Sequence, residues 1–263
     1  MESLPGVPDI LYKYRVWEDP NHKRILTNNE LYFPSADLFN DPFDSSLPFR
    51  YNENEMTDEN IIKKLVLLGR SKWPEISDEE LLRRANEQIK EVDFRSDKFW
   101  KDGSAPINKR LHETFGICSL TPKSDNLLMW SHYANSHKGF CIGFNKDELY
   151  SSVNGMLAKV NYSENMPRIP MFSVGNETLP ILLSTKSSHW EYEEEYRIVK
   201  VFAANKVFKL NDAAFKEIIF GCRMNPESKQ EIIKIAKSKS SKIRLYDSVI
   251  DDQKFKLNIV EIK

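Results

Sequence analysis

Short runs rich in aromatic and β-branched residues recur along the chain, but no regular strand-helix alternation links them, and a highly charged helical stretch interrupts the series. The runs are Ile10 to Val16, Phe115 to Leu120, Gly139 to Phe144, Ala158 to Tyr162, Tyr196 to Phe202, Glu217 to Phe220 and Lys256 to Ile262. Arg24 to Phe33 adds a turn through Asn28-Asn29 into a further extended segment. This order favours an α+β fold with mixed, mainly antiparallel sheets over a doubly wound parallel sheet.

The interruption has helical spacing from Asp58 to Arg70 and from Ser77 to Phe94. Each run opens on a capping residue followed by acids, Thr57-Asp-Glu and Ser77-Asp-Glu-Glu. With Lys98 to Lys109 it forms a helical insertion at about 52–110 within a single domain, 1–263, suited to a lid or a partner surface. Asn126 to Ala134 and the amphipathic Ser228 to Ser238 are further helices. Phe39-Asn-Asp-Pro-Phe-Asp44 reads as a fixed loop, because Pro42 sets its backbone and the Asp and Asn oxygens can turn back on backbone donors.

Composition removes several classes of function. Lys and Arg number 38 against 39 Asp and Glu, so the charge surplus that unselective phosphate binding needs is missing. No apolar run approaches the roughly 18 residues of a membrane span, and the amino end lacks a basic start followed by an apolar stretch, so a cytoplasmic protein with no membrane partner is expected. Cys118, Cys141 and Cys222 are odd in number and widely spaced, which argues against disulfides and paired-cysteine zinc sites. Glycine supplies only 9 of 263 residues, and neither a phosphate loop nor a G-x-G-x-x-G fingerprint occurs, so a nucleotide would have to be held by other means. The five histidines form no metal-site spacing, and no metal is expected.

Two clusters could carry chemistry. Leu127-Leu-Met-Trp-Ser-His-Tyr-Ala134 places Trp130, His132 and Tyr133 on a short helix, offering stacking faces and donors. Taken alone, the stretch favours a plainer account in which Met129, Trp130 and Tyr133 anchor the core. Trp190-Glu-Tyr-Glu-Glu-Glu-Tyr-Arg197 packs four carboxylates together, a costly arrangement unless Arg197, Lys200 or a bound cation or ligand offsets them. In an extended segment Glu193 and Glu195 project to one face and Glu194 to the other.

Leu11-Tyr-Lys-Tyr-Arg15, Asn40-Asp-Pro-Phe43, Leu128-Met-Trp-Ser-His-Tyr-Ala134, His137-Lys-Gly-Phe140 and Trp190-x-Tyr-Glu-x-Glu-Tyr-Arg197 together resemble the bacterial domain-of-unknown-function 2971 family through nearly the whole chain, as does Ile218-Ile-Phe-Gly-Cys222. The order of these pieces is also similar to the ADP-ribosyltransferase superfamily, which has a basic residue on an early strand, a mid-chain strand followed by a helix, and a late glutamate. That resemblance implies a split sheet and an NAD-consuming enzyme, with NAD as co-substrate and a role as a bacterial stress or anti-phage effector. Lys13 would be the basic residue, where the superfamily usually has His or Arg, with Arg15 in reserve. Gly116-Ile-Cys-Ser119 would be the middle strand, with Cys118 where Tyr or Ser is usual, and Glu195 with Glu193 the E-x-E pattern.

In that scheme Glu195 stabilises positive charge developing on the ribose as nicotinamide leaves, and Glu193 orients or deprotonates a protein or nucleic-acid acceptor. Trp130 or Tyr133 stacks on nicotinamide, Ser119 bonds its carboxamide or the ribose, and Lys13 or Arg15 contacts the adenosine ribose or pyrophosphate. The competing readings are a non-catalytic module binding a nucleotide or peptide on the same fold, and a Mg²⁺-dependent hydrolase or nuclease using the acidic run.

Overall fold

Capping chemistry decides where most of the helices begin. The computed structural model describes residues 6–240 and 242–262; Met1 to Pro5, at the amino end considered above for a leader, lie outside the described residues. After β1 (Ile10–Arg15), α1 (Pro20–Thr27) starts on Asp19, whose carboxylate accepts from the Asn21 and His22 amides, with Pro20 at the first helical position. The expected turn through Asn28-Asn29 leads into β2 (Glu30–Phe33), but the residues before it, from Pro20 to Thr27, are helical. Thr57, Ser77 and Ser96 cap α2 (Asp58–Lys72), α3 (Asp78–Glu91) and α4 (Asp97–Thr114), the helices of the insertion, and α4 runs directly into β3 (Phe115–Leu120).

Asn126 caps α5 (Leu127–Tyr133), and Asn145 ends β4 (Phe140–Asn145) by capping α6 (Lys146–Val153). The expected strand at Ala158 to Tyr162 breaks at Val160 into β5 (Met156–Lys159) and β6 (Asn161–Ser163), which join different sheets. Next come α7 (Gly175–Ser184), β7 (Thr185–Ser187), β8 (Tyr196–Val201), β9 (Lys206–Lys209) and β10 (Phe215–Phe220), then α8 (Pro226–Lys239), β11 (Arg244–Ile250) and β12 (Leu257–Glu261).

Among the described residues the strands form a five-stranded sheet in the order β1-β4-β10-β11-β12, a three-stranded sheet in the order β3-β8-β5, and the pairs β2-β9 and β6-β7. The β10-β11 and β6-β7 pairings are parallel and the rest antiparallel, so the fold is α+β with mixed, mostly antiparallel sheets. The two larger sheets meet at one bridge, Tyr12 with Thr121, where each backbone donates to the other at 2.7 and 3.0 Å.

Leu11, Trp17, Phe33, Phe140, Phe144, Ile198, Ile218 and Ile232 belong to the largest apolar cluster, while Tyr14, Met129, Trp130, Cys141 and Ile219 form a second under α5. Strand alternation on β1 thus sends Tyr12 and Tyr14 towards α5 and puts Lys13 and Arg15 on the side of Leu11. No helix among the described residues is long and apolar enough to cross a membrane.

Candidate functional site

Where β1 and β3 separate beyond the Tyr12-Thr121 bridge, a cleft of about 390 Å³ opens between them, the 34–44 loop, α5 and the segment 186–195. Lys13, Arg15, Ser119, Tyr133, Glu193 and Glu195 all line it. Trp130 does not. It is fully buried, with its ring edge-on to Tyr14 at 5.0 Å and its Nε1 donating to the Ser124 carbonyl at 2.9 Å, so the plainer core account describes it. Tyr133, one turn further along α5, is the ring at the cleft wall, joined there by His132.

α5 is tied to β4 by three consecutive left-handed residues, Asn135, Ser136 and His137, with φ of 47, 53 and 70°. Each costs roughly 1–2 kcal/mol for a residue with a Cβ. The turn is held by the Ser136 amide on the Ser131 carbonyl, His137 on Trp130 and Gly139 on Ala134, at 3.2, 3.1 and 2.8 Å. Gly139 presses so close to β1 that a Cβ there would lie 2.1 Å from the Arg15 carbonyl oxygen. This close approach holds the Tyr133 end of α5 beside the strand that carries Lys13 and Arg15.

The acidic run is not extended. Ser188–Glu193 is a 3₁₀ turn, and Glu194 adopts φ 45°, ψ 45° before β8 begins. The left-handed kink points Glu193 and Glu195 inward and leaves Glu194 half exposed, 3.2 Å from Lys123. The same-side pair expected from strand alternation is thus produced by a turn. Lys200 takes no part in offsetting it, because its Nζ donates to the Val153 and Asn154 carbonyls.

The counter-charges are Arg197 and a residue that sequence reasoning missed, Lys186. Arg197 is fully buried; its Nε and Nη2 donate to the two Glu195 oxygens at 2.8 and 3.0 Å, and its Nη1 and Nη2 to the two Asp44 oxygens at 2.7 and 2.6 Å. Lys186 Nζ lies 2.6 Å from Glu193, 3.1 Å from Glu195 and 3.6 Å from Asp44. Asp44, placed by the Pro42 loop, was likewise missed as a site residue. Three buried carboxylates and two buried cations in contact satisfy the rule that an interior charge must be paired and hydrogen-bonded.

Burial pushes the Glu195 carboxyl up, but Arg197 and Lys186 outweigh it and hold the group at about 2. Burial raises Glu193, and although Lys186 draws it down, the Glu195 charge adds to the rise and leaves it above the usual range. Tyr133 Oη donates to Glu193 Oε1 at 2.6 Å, and burial followed by this carboxylate keeps the phenol protonated.

The β1 wall of the cleft is basic. Lys13 Nζ donates to the Ser119 carbonyl at 2.7 Å, and Arg15 to its neighbour's carbonyl at 3.2 Å. Neither forms an ion pair with a carboxylate among the described residues. Burial, and then Arg15, bring Lys13 down to about 8. On β3, Cys118 is buried in the largest apolar cluster and Ser119 is the neighbour that reaches the cleft. Among the described residues no group of three or more His, Cys, Asp or Glu is placed to hold a metal ion.

The model of the DUF2971 family, described as a protein of unknown function, matches residues 129–198. That span carries Tyr133, Lys186, Glu193, Glu195 and Arg197, the acidic wall of the cleft, and over those residues it supports the likeness to the domain-of-unknown-function 2971 family read from the sequence. Neither a curated protein nor a solved structure matches the chain.

Proposed function

We propose that the cleft binds NAD and that the protein is an NAD-consuming enzyme laid out like an ADP-ribosyltransferase. The observation that carries this reading is the arrangement of charge: two cations without carboxylate ion-pair partners among the described residues on the β1 wall, and a fixed buried carboxylate on the segment 186–195. NAD has the complementary layout, with a pyrophosphate at its middle and a cationic pyridinium ring at one end. Cleavage of its glycosidic bond sends the bonding electrons out with nicotinamide and leaves positive charge on the ribose.

Each residue then has a physical task. Lys13 and Arg15 hold the pyrophosphate, Arg15 through a planar guanidinium and Lys13 as a point charge. Glu195, kept ionised by Arg197 and Lys186, supplies a preorganised negative charge where the positive charge grows. Glu193, with its raised proton affinity, accepts the proton from water or another acceptor as that group's lone pair bonds to the ribose. Tyr133 steadies Glu193, and its ring with His132 walls the cleft. Ser119 bonds the carboxamide or a ribose hydroxyl.

One observation favours the non-catalytic alternative: both Glu195 oxygens already accept from Arg197, and the residue is only 2% exposed. Isothermal titration with NAD separates the readings when paired with an assay for product. Saturable binding that Lys13→Met weakens, together with consumption of NAD, supports the enzyme. Saturable binding with NAD intact assigns a binding module, and no binding removes the NAD reading, leaving only a module for another nucleotide or a peptide.

A further inference from the structure

Away from the cleft, α2, α4 and the chain around Phe49 to Met56 border an apolar cavity of about 210 Å³ that opens to solvent beside Leu68 and Gly103. Its rings brace one another edge-on, Phe49 with Tyr51 at 5.6 Å, Tyr51 with Trp100 at 5.4 Å and Phe99 with Trp100 at 5.2 Å, which keeps the space from collapsing. Gly103 of α4 lies on the wall, and a Cβ built there meets nothing within 4 Å. Lys64 also lines the wall, but its ammonium donates to the Met171 carbonyl at 2.6 Å. Such a wall gives water few partners and suits an alkyl chain.

A second recess shares Tyr51, Met56 and Trp100 with this cavity and adds Arg50, Arg95 and Arg168 together with Glu53 and Asp97. Their acidic partners stand mostly in solvent: the side chains of Asp97, Asp58 and Glu53 are 89%, 72% and 79% exposed. Ion pairs this exposed are weak and readily exchanged for another anion. The Arg50 Nε is buried and has no acceptor. The two recesses therefore make an apolar pocket with guanidinium donors beside it, one of them unsatisfied.

We propose that the insertion binds an amphipathic anion: a single unbranched acyl chain in the apolar cavity with its carboxylate at Arg50. This site is separate from the cleft and does not depend on the NAD reading.

Isothermal titration of the full chain with decanoate below its micellar concentration tests the assignment, with decanol and decyltrimethylammonium as neutral and cationic controls. One saturable site is expected, with the controls at least tenfold weaker. Leu65→Trp, which adds bulk at a half-buried position of the cavity wall, should cut decanoate affinity tenfold or more. Arg50→Gln, at the mouth, should narrow the gap between decanoate and decanol; circular dichroism checks that both variants fold. Absence of saturable decanoate binding, equal affinity for decanol, or undiminished binding by Leu65→Trp overturns the proposal. A dimer in sedimentation that decanoate dissolves would assign the cavity to a second copy of the chain and also overturn it.

Discussion

Glu193 and Glu195 share the Lys186 ammonium, at 2.6 and 3.1 Å, yet their carboxylates are driven in opposite directions. Glu195 also has Arg197 and stays ionised, whereas Glu193 has a phenol as its second partner and holds its proton more readily. Two acids whose environments separate their proton affinities can divide the work of fixed charge and proton acceptor.

That division predicts different consequences for the two amide variants. Glu193→Gln should keep NAD affinity and the fold while losing about 10² or more in turnover, the usual scale for a general base. Glu195→Gln should lose turnover and also stability, by about 3–5 kcal/mol, because it strips a buried guanidinium of one of its two carboxylates. Urea unfolding alongside the turnover assay distinguishes the two patterns.

If the cleft binds an anion through Lys13, affinity should fall with alkali. Its proton is lost at about 8 in the free protein, so an anion that relies on its charge should bind progressively less well as pH rises beyond that value. Titrations between pH 7 and pH 10 should show this decline in the wild type and lose most of it in Lys13→Met. Folding stability should move the opposite way. An unfolded lysine holds its proton to about 10.4, so between the two values the unfolded chain binds more protons and the Lys13 contribution to stability rises with pH.

Acid should weaken the fold through Glu195. Its folded value of about 2 lies below the roughly 4.3 of an unfolded glutamate, so its contribution is fully present above that higher value and is lost as pH falls towards the lower one. Glu193, raised in the fold, contributes in the opposite sense: its stabilisation is present below the unfolded value and is lost as pH rises through the folded one. Urea midpoints measured from pH 6 to pH 2 should fall less steeply for Glu195→Gln than for the wild type.

Trp130 should behave as a core residue. Trp130→Ala removes a fully buried ring and should cost about 3–5 kcal/mol. Trp130→Phe, which keeps most of the packing against Tyr14, should retain wild-type NAD affinity in calorimetry. A selective loss of affinity in a stably folded Trp130→Phe would restore the stacking role.

The sequence made the fold class and several elements legible where local chemistry agreed with tertiary packing. Phe115 to Leu120 is β3, and the Thr57 and Ser77 caps open α2 and α3 as expected. α1 was missed although Asp19-Pro20 is a helix-start signal, because the apolar residues around it also suit a turn between strands. α7 carries an internal proline, and β9 is four residues long and mostly exposed, so neither shows a clear periodicity.

Lys13, Arg15, Ser119, Tyr133, Glu193 and Glu195, all of which line one cleft, were singled out through the resemblance to the ADP-ribosyltransferase superfamily. Lys186 was not, since nothing in Ser184-Thr-Lys-Ser-Ser marks a lysine as buried. Asp44 had a signal only as an acid in a turn that Pro42 fixes. Finding it required knowing that Arg197 reaches both acids, a contact across 153 positions of sequence.

Nicotinamide released from saturating NAD at neutral pH, quantified by mass spectrometry for the wild type and Glu193→Gln, tests the central claim most directly. Release by the wild type that falls at least a hundredfold in a folded variant with unchanged NAD affinity is the expected result. Intact NAD after prolonged incubation with the wild type, or equal release by both proteins, would contradict it.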